Sequence, residues 1–174
     1  MDSSDPYVEA FDNFMREWLG RAVRYGAALS RDPELAEEMA QAVFVDMYRT
    51  RNEPWTARQP GAYLFRALRN KLLDERGKRR PHATEHLSDY MAVEHSDAHD
   101  WSGVICTGLL ELSEDHREAL TLRYFESLSL VEIASVMDRS VGAVNKLLNR
   151  AKLELKSRIE RSGEVNEFLS GGQK

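Results

Sequence analysis

Apolar residues recur at steps of three and four positions through most of this chain, and this spacing limits the fold to packed helices. In the first thirty residues the apolar stripe consists of Tyr7, Phe11, Phe14, Met15, Trp18, Ala22, Tyr25 and Leu29. Asp5 followed by Pro6 is a helix start signal, and Asp32 followed by Pro33 repeats it. A further helical segment begins near Pro60. We therefore predict an all-α fold.

The distribution of charge divides the chain into parts. Residues 66–80 contain seven basic and two acidic residues, whereas residues 81–105 contain five acidic residues and no Lys or Arg. An acidic segment with weak periodicity is typical of a flexible linker. We predict two small helical domains joined by a flexible acidic linker. The predicted parts are a first domain at 1–80, a linker at 81–104, a second domain at 105–161 and a polar tail at 162–174.

The second domain carries a helix-turn-helix pattern. A short helix is predicted from Leu130 to Met137, and a long basic helix from Val141 to about Glu160. Ser129 and Glu132 have the spacing of a capping box at the start of the first helix. An ordinary helical hairpin with a solvated basic face is the alternative interpretation of this pattern.

The long helix carries the residue types that read DNA. Asn and Arg side chains can pair with two atoms of an adenine or guanine edge, and backbone amides at a helix start can bind a phosphate. Because the whole chain has a net charge of -5, such binding must come from local basic patches. The predicted DNA-binding residues are Arg139, Ser140, Gly142, Ala143, Asn145, Lys146, Asn149, Arg150 and Lys152.

Two stretches of the second domain, 112–134 and 140–152, resemble region 4 of the sigma-70 family in its extracytoplasmic-function (ECF) group. In the first domain, residues 35–44, residues 63–70 and the run from Asp74 to Arg80 resemble region 2 of the same group. Two motifs in the family's order are more specific than either alone. The resemblance implies a transcription initiation factor in which region 2 opens the promoter -10 element and region 4 reads the -35 element.

The resemblance also implies roles for the first domain, since region 2 in this family binds the polymerase clamp helices and captures a flipped base. The residues expected to bind core RNA polymerase are Glu37, Glu38, Gln41, Phe44 and Tyr48. Those expected at the -10 element are Tyr63, Arg66, Arg69, Asn70, Lys71, Arg76, Lys78, Arg79 and Arg80. Trp55 and Phe65 are further aromatic residues near this basic helix, for which packing is the favoured role. Core RNA polymerase, promoter DNA and an anti-sigma factor are the expected partners.

The chain departs from the family pattern at a few positions. Ala42 stands where the family usually has an acidic residue, and Asp138 stands where the turn usually has Gly. Asp can adopt the left-handed conformation that such a turn needs, at some energetic cost. Asn145, Lys146 and Leu147 replace a more basic triplet, so we expect an unusual -35 sequence.

Two other functional classes compete with this interpretation. A helix-turn-helix repressor or activator would need an N-terminal dimerisation domain, which has no use for the basic run from Arg66 to Arg80. A catalytic protein is disfavoured because no nucleophile-base pair or phosphate loop is evident, and we expect no cofactor.

The remaining cysteine and histidine residues bear on metal binding and location. His82 and His86, and likewise His95 and His99, are spaced four apart near Cys106, which makes a metal-sensing linker a minor hypothesis against solvated histidines. We expect no metal site. One cysteine, no signal-peptide pattern and no apolar run of roughly 18 residues predict a cytoplasmic protein without membrane insertion.

Overall fold

The computed structural model describes residues 5–76 and 102–161, and every regular element in these two ranges is helical. The α-helices are α1 Pro6–Ser30, α2 Pro33–Arg49, α3 Pro60–Arg76, α4 Ser102–Glu111, α5 Glu114–Leu120, α6 Leu130–Met137 and α7 Val141–Arg161. A 3-10 turn at Pro54–Thr56 precedes α3, and a π-helical turn at Thr121–Phe125 follows α5. The prediction of an all-α fold is confirmed.

Helices α1, α2 and α3 form an N-terminal bundle. The first turns of α1 and α2 are each stabilised by a short-range hydrogen bond. The Asp5 carboxylate accepts a 3.0 Å hydrogen bond from the Tyr7 amide, and Asp32 accepts one of 3.0 Å from the Leu35 amide. Both satisfy amides that a helix start leaves without partners. The predicted start signals at Asp5 and Asp32 are therefore confirmed.

Close approach of α1 and α3 depends on one glycine. A Cβ on Gly61 would overlap the ring of Trp18, which packs directly on the α3 backbone there. Trp18 also lies edge-on to Phe65 with ring centroids 6.0 Å apart. This contact fixes α3, and hence the start of the basic segment, against α1.

Helices α6 and α7 form the helix-turn-helix with the predicted boundaries. Both halves of the capping box are present, since the Ser129 amide donates to Glu132 Oε2 at 2.7 Å and the Glu132 amide donates to Ser129 Oγ at 3.3 Å. Asp138 ends α6 with φ 53° and ψ 50°, the left-handed conformation expected for the turn. Ile133 and Val144 are both fully buried between the two helices.

Two boundaries in this half differ from expectation. The cap signal at Ser113, with Glu114 and Asp115 in the first turn, predicts a helix through about Phe125. This helix, α5, starts after Ser113 without a capping hydrogen bond from the Ser113 side chain. It ends at Leu120, because the next five residues form a π turn closed by the Glu126 amide on the Thr121 carbonyl. Helix α4 begins at Ser102, within the segment predicted as linker. Buried Leu109 packs α4 into the core, which explains why this helix forms despite weak periodicity. Within the described ranges no helix is long and apolar enough to cross a membrane.

The two helical units pack against each other, which the charge pattern did not predict. Helix α1 contacts α5, and α3 contacts α6. Buried apolar side chains from both units belong to one continuous core, with Leu68 on one side and Leu122 on the other. Within each unit the fold is helical as expected, and the contact between the units is an additional feature.

Candidate nucleic-acid interface

Helix α7 separates its side chains into a buried and an exposed face. Val144, Leu148 and Ala151 are buried against α5 and α6. The residues that the sequence predicted to bind DNA lie on the exposed part of this helix. These are Gly142, Ala143, Asn145, Lys146, Asn149, Arg150 and Lys152. The helix therefore presents amide, ammonium and guanidinium groups to solvent on a rigid support.

The first turn of α7 is capped by a side chain and remains accessible from solvent. Ser140 Oγ accepts a 3.2 Å hydrogen bond from the Ala143 amide, so Ser140 shapes the helix start. Around the Cα of Gly142 there is open space, since an added Cβ would have no neighbour within 4 Å. A phosphate can approach such a helix start closely and meet its backbone amides.

Arg139, in the turn before α7, is held by an ion pair. Its Nη2 atom donates to Asp115 Oδ2 at 2.6 Å, and the two side chains are 38% and 47% exposed. Asp115 belongs to α5, so the pair ties the helix-turn-helix to the preceding helix. Asp115 offsets the charge of Arg139, and a phosphate must compete with it for the guanidinium.

A second set of contacts fixes the far half of α7. His116 Nδ1 lies 2.6 Å from Glu154 Oε2, and Arg158 donates to Glu154 at 2.9 Å and to Glu111 at 3.1 Å. The hydrogen bond from Arg158, followed by that from His116, lowers the pKa of Glu154 below its ordinary value. The contacts join α7 to α5 and α4, so they fix the orientation of α7 within its domain.

Some of the predicted DNA-binding residues of the basic helix α3 are exposed, and others are held in ion pairs. Arg66 and Asn70 are exposed. Lys71 Nζ lies 2.8 Å from Asp46 Oδ2, and this hydrogen bond lowers the pKa of Asp46. Arg69 Nε donates at 2.8 Å to Glu118, a residue of α5.

Three aromatic residues near α3 have different environments. Tyr63 is 43% exposed and accepts a hydrogen bond from the Asn52 side chain. Phe65 is fully buried, with its ring centroid 5.0 Å from that of Tyr25. Trp55 packs on the N-terminal core with its centroid 5.3 Å from that of Tyr7. Tyr63 is thus the member of this trio that offers a face to an unstacked base.

Comparisons with known proteins agree with this arrangement. The model described as sigma-70 region 2 matches residues 14–82, and that described as sigma-70 region 4 matches residues 107–155. The RNA polymerase sigma-H factor of Pseudomonas aeruginosa is 30% identical over 163 residues, covering 82% of each chain. The chain belongs to the sigma-70 family.

Other relatives carry the name of the ECF group. The ECF RNA polymerase sigma factor SigM of Bacillus subtilis is 26% identical over 165 residues, covering 86% of this chain and 95% of the relative. This sigma factor belongs to that group, and its N-terminal and C-terminal helical units are region 2 and region 4.

Solved structures share the fold. The sigma factor RpoE of Bartonella quintana, in complex with the anti-sigma factor NepR, has a TM-score of 0.63 and 20% identity, covering 86% of this chain and 98% of that one. CnrH in complex with the cytosolic domain of CnrY has a TM-score of 0.60 and 22% identity, covering 89% and 95%.

The helix of this sigma factor expected to face polymerase is α2, and one of its residues needs correction. Glu37, Glu38, Gln41 and Tyr48 are exposed. Phe44 is only 3% exposed, because its ring packs edge-on to Phe11 at 6.3 Å in the core of region 2. Phe44 is therefore a core residue and presents no polymerase-binding surface in this structure.

Some predictions for the sigma factor fall outside the described residues. The side chain of Arg76, all of Lys78, Arg79 and Arg80, and the four linker histidines are in this group. Cys106 is described and buried, and burial raises the pKa of its thiol. Within residues 5–76 and 102–161 no group of three potential metal ligands comes together.

Sequence reasoning missed a set of buried charges between region 2 and region 4. Arg117 and Glu118 on α5, Glu126 after the π turn and Arg24 on α1 are all buried. No pattern in the sequence signalled their burial, because charged residues are ordinarily expected at the surface. Contacts between residues some hundred positions apart leave no trace in local periodicity.

Proposed function

We propose that this chain binds core RNA polymerase and directs it to promoters, where region 2 opens the -10 element and region 4 reads the -35 element. The observation that carries this proposal is the two-faced helix α7. It buries Val144 and Leu148 while exposing Asn149 and Arg150, the residue types that pair with base edges in the major groove. The match to both sigma regions in one chain supports it.

Region 2 supports the opening step by its surface chemistry. Arg66, Asn70 and Tyr63 are exposed on one helix, which combines a positive charge, an amide and an aromatic face. Holding a single strand requires electrostatic attraction together with stacking or pocketing of bases. We assign these three residues to the opened strand and the exposed residues of α2 to polymerase.

The direct test is transcription with purified components. The full chain, added to sigma-free core polymerase and a library of genomic fragments, should produce transcripts that start at a shared pair of sequence elements. Arg150→Ala should reduce these transcripts, whereas Lys156→Ala, a matched loss of charge further along α7, should not. If the chain gives no transcripts and binds duplex DNA as a dimer by itself, it is a helix-turn-helix repressor or activator.

An anti-sigma factor is the further partner that we propose. RpoE and CnrH, which share this fold, were both solved with proteins bound to them. Affinity capture of the chain from its own cells, followed by mass spectrometry, identifies such a partner. The partner should compete with core polymerase for the α2 surface; a protein that leaves polymerase binding unchanged would not qualify.

Localisation and chemistry complete the proposal. We infer that the chain acts in the cytoplasm, where a single reduced cysteine is stable. We also infer that it binds DNA and protein without catalysing a reaction of its own.

A further inference from the structure

Arg51, close after the end of α2, has a backbone conformation that residues with a Cβ rarely adopt. Its φ is 48°, in the left-handed region, where the Cβ atom crowds the following carbonyl oxygen. Residues 50–59 join α2 to α3, and Arg51 lies near the start of this segment. A residue keeps such a conformation where the surrounding contacts determine it, and such residues cluster at functional sites. The contacts that hold Arg51 therefore bear on function.

The first turn of α1 holds the Arg51 side chain. Arg51 Nη2 donates to Asp5 Oδ2 at 2.7 Å, and the guanidinium carbon lies 4.3 Å from the centroid of the Tyr7 ring. Asp5 uses its other oxygen, Oδ1, to accept from the Tyr7 amide and so caps α1. The hydrogen bond from Arg51 lowers the pKa of Asp5, so the carboxylate is charged at neutral pH. One carboxylate therefore both starts α1 and fixes the segment that follows α2.

The Tyr7 hydroxyl fixes the backbone before and after Arg51. It donates to the Met47 carbonyl at 3.0 Å, and the Asn52 carbonyl lies 3.4 Å from the same oxygen. The Asn52 amide donates to the Met47 carbonyl at 2.9 Å. Tyr7 is only 6% exposed, so this anchor is part of the core of region 2. The position of Asn52 is thus set by groups of α1 and α2.

Asn52 connects this anchored segment to Tyr63, the aromatic residue assigned to an unstacked base. Its side-chain Nδ2 donates to the Tyr63 hydroxyl. Tyr63 lies in the first turn of α3 and is 43% exposed, so its ring has an accessible face while its hydroxyl is held. A ring fixed in this way loses less conformational freedom when a base stacks on it. A continuous set of contacts therefore runs from the start of α1 to this ring.

Resting on the proposed function, we propose that Asp5, Arg51 and Asn52 are positioning residues, which hold the Tyr63 ring in place for an unstacked base of the -10 strand. They act through Tyr63 and not by touching that base. Because the pair of Asp5 and Arg51 is exposed, it contributes little to the stability of the domain. Its loss should therefore weaken capture of the unpaired base and leave folding and duplex binding unchanged.

The test compares Asp5→Asn with Asp12→Asn in the full chain bound to core polymerase. Asn keeps the oxygen that caps α1 and removes the charge that pairs with Arg51. Asp12→Asn is the matched control, because Asp12 lies on the same helix and pairs there with Arg16, which is 72% exposed. The probe is a forked duplex in which the -10 element of a promoter transcribed by the unsubstituted parent is single-stranded. Its dissociation constant is measured for each variant.

We expect Asp5→Asn to bind the fork about threefold more weakly than Asp12→Asn. Tyr63→Ala should bind it about tenfold more weakly, because the stacking of one base is then lost entirely. Both Asp variants should bind the fully paired promoter like the parent and melt at the parent's temperature. Adding Asp5→Asn to Tyr63→Ala should change fork binding no further, because the ring that Asp5 positions is already absent.

Abasic sites provide a readout that a purely structural role would not move. The -10 nucleotides of the fork are replaced by an abasic site one at a time. At one position the parent should lose its advantage over Asp5→Asn, because the base that stacks on Tyr63 is gone. At the other positions the difference between the two proteins should persist.

Arg51→Gly is the second variant. Glycine accepts the left-handed backbone, so this change keeps the path of the segment while removing the guanidinium contacts. It should weaken fork binding to the same extent as Asp5→Asn and leave the melting temperature close to that of the parent.

Other outcomes decide against the positioning role. Equal fork binding by Asp5→Asn and Asp12→Asn, or full binding by Tyr63→Ala, would overturn it and leave the proposed function standing. Tighter binding by Asp5→Asn would mean that the released Arg51 guanidinium binds a phosphate, which also overturns it. If the parent directs no transcription, the proposed function itself fails, and the positioning role fails with it.

Discussion

The hydroxyl group of Tyr25 donates a 2.7 Å hydrogen bond to Glu118 Oε1 and so joins α1 of region 2 to α5 of region 4. Tyr25 is fully buried, and burial, with the nearby Glu118 carboxylate, raises its pKa well above the ordinary value of 10.0. The hydroxyl therefore remains a donor throughout the range in which the protein is handled. This contact allows a sharp test of the interface, because Phe keeps the ring and removes only the donor.

Tyr25→Phe should lower the free energy of unfolding by ~1 to 2 kcal/mol, since the buried Glu118 oxygen loses one of its two donors. Urea unfolding followed by circular dichroism measures the change. Tyr124→Phe is the control, because Tyr124 is 55% exposed and its substitution should have little effect. Equal stabilities of Tyr25→Phe and the parent would show that the hydrogen bond contributes nothing net.

The interface should respond to pH through Glu118. Burial raises the pKa of this carboxyl above its ordinary value of 4.5, despite the opposing hydrogen bonds from Tyr25 and Arg69. In the pH range just above that value, the folded protein therefore retains this proton to a greater extent than the unfolded chain does. The stabilising contribution is complete below the unfolded pKa and is lost as pH rises through the folded pKa.

The measurement is urea unfolding of the parent and Glu118→Gln at several pH values upward from about 4.5. The free energy of unfolding of the parent minus that of Glu118→Gln should decrease as pH rises. Taking this difference cancels the contributions of the carboxyl groups that both proteins share. Asp46 and Glu154, whose pKa values are lowered, act in the opposite sense at lower pH. An advantage that grows with pH would contradict the raised pKa.

Arg150 should contribute to -35 recognition. Replacing it with Ala should weaken binding of a cognate duplex by ~1 to 3 kcal/mol if the guanidinium contacts a base, with a smaller effect on unrelated duplexes. Fluorescence anisotropy at fixed salt measures both. Lys156→Ala provides the comparison, since Lys156 sits further along α7 and pairs with Glu160. A uniform loss on all duplexes would assign Arg150 to phosphate contact.

Asn70 should act in strand opening. Its side chain is exposed between Arg69 and Lys71, and both of these neighbours are held in ion pairs. Asn70→Ala should therefore reduce permanganate reactivity at the -10 element while leaving duplex binding by the holoenzyme close to that of the parent. Asn13→Ala, an exposed change on α1, should alter neither. An unaltered footprint in Asn70→Ala would exclude it from opening.

Asp138 offers a route to higher stability. Its left-handed conformation, φ 53° and ψ 50°, suits Gly better than a residue with a Cβ. Asp138→Gly should raise the free energy of unfolding by about 0.5 to 1 kcal/mol in a thermal melt. Ser135→Gly, an exposed change inside α6, should lower it by a similar amount. A destabilised Asp138→Gly would mean that the Asp side chain has a role in the turn.

Local signals in the sequence predicted the helix starts well. Asp5, Asp32 and Ser129 cap as expected because each acts on an amide two or three residues away. The periodicity of the apolar residues also predicted α6 and α7, whose apolar faces pack against each other. In these cases the determining contacts lie within a few residues of the pattern that predicts them.

Burial of individual residues was harder to predict. Phe44 follows Ala36 and Ala40 at four-residue steps, so its place in the core was visible once those alanines were read as buried. Arg21 and Glu126 are 105 residues apart in the chain, and no local pattern connects them. The prediction therefore succeeded for the helical fold, was wrong about Phe44, and gave no indication of the contact between Arg21 and Glu126.

The division of charge across the contact between region 2 and region 4 bears on the exchange of domains between sigma factors. A hybrid that keeps this region 2 and takes region 4 from a relative must also receive carboxylates equivalent to Glu118 and Glu126. Otherwise Arg24 and Arg69 would face a surface without counter-charges, and packing of the two domains against each other would cost free energy. The contact between region 2 and region 4 is therefore a property of a matched pair of domains, because each domain supplies one sign of the buried charge.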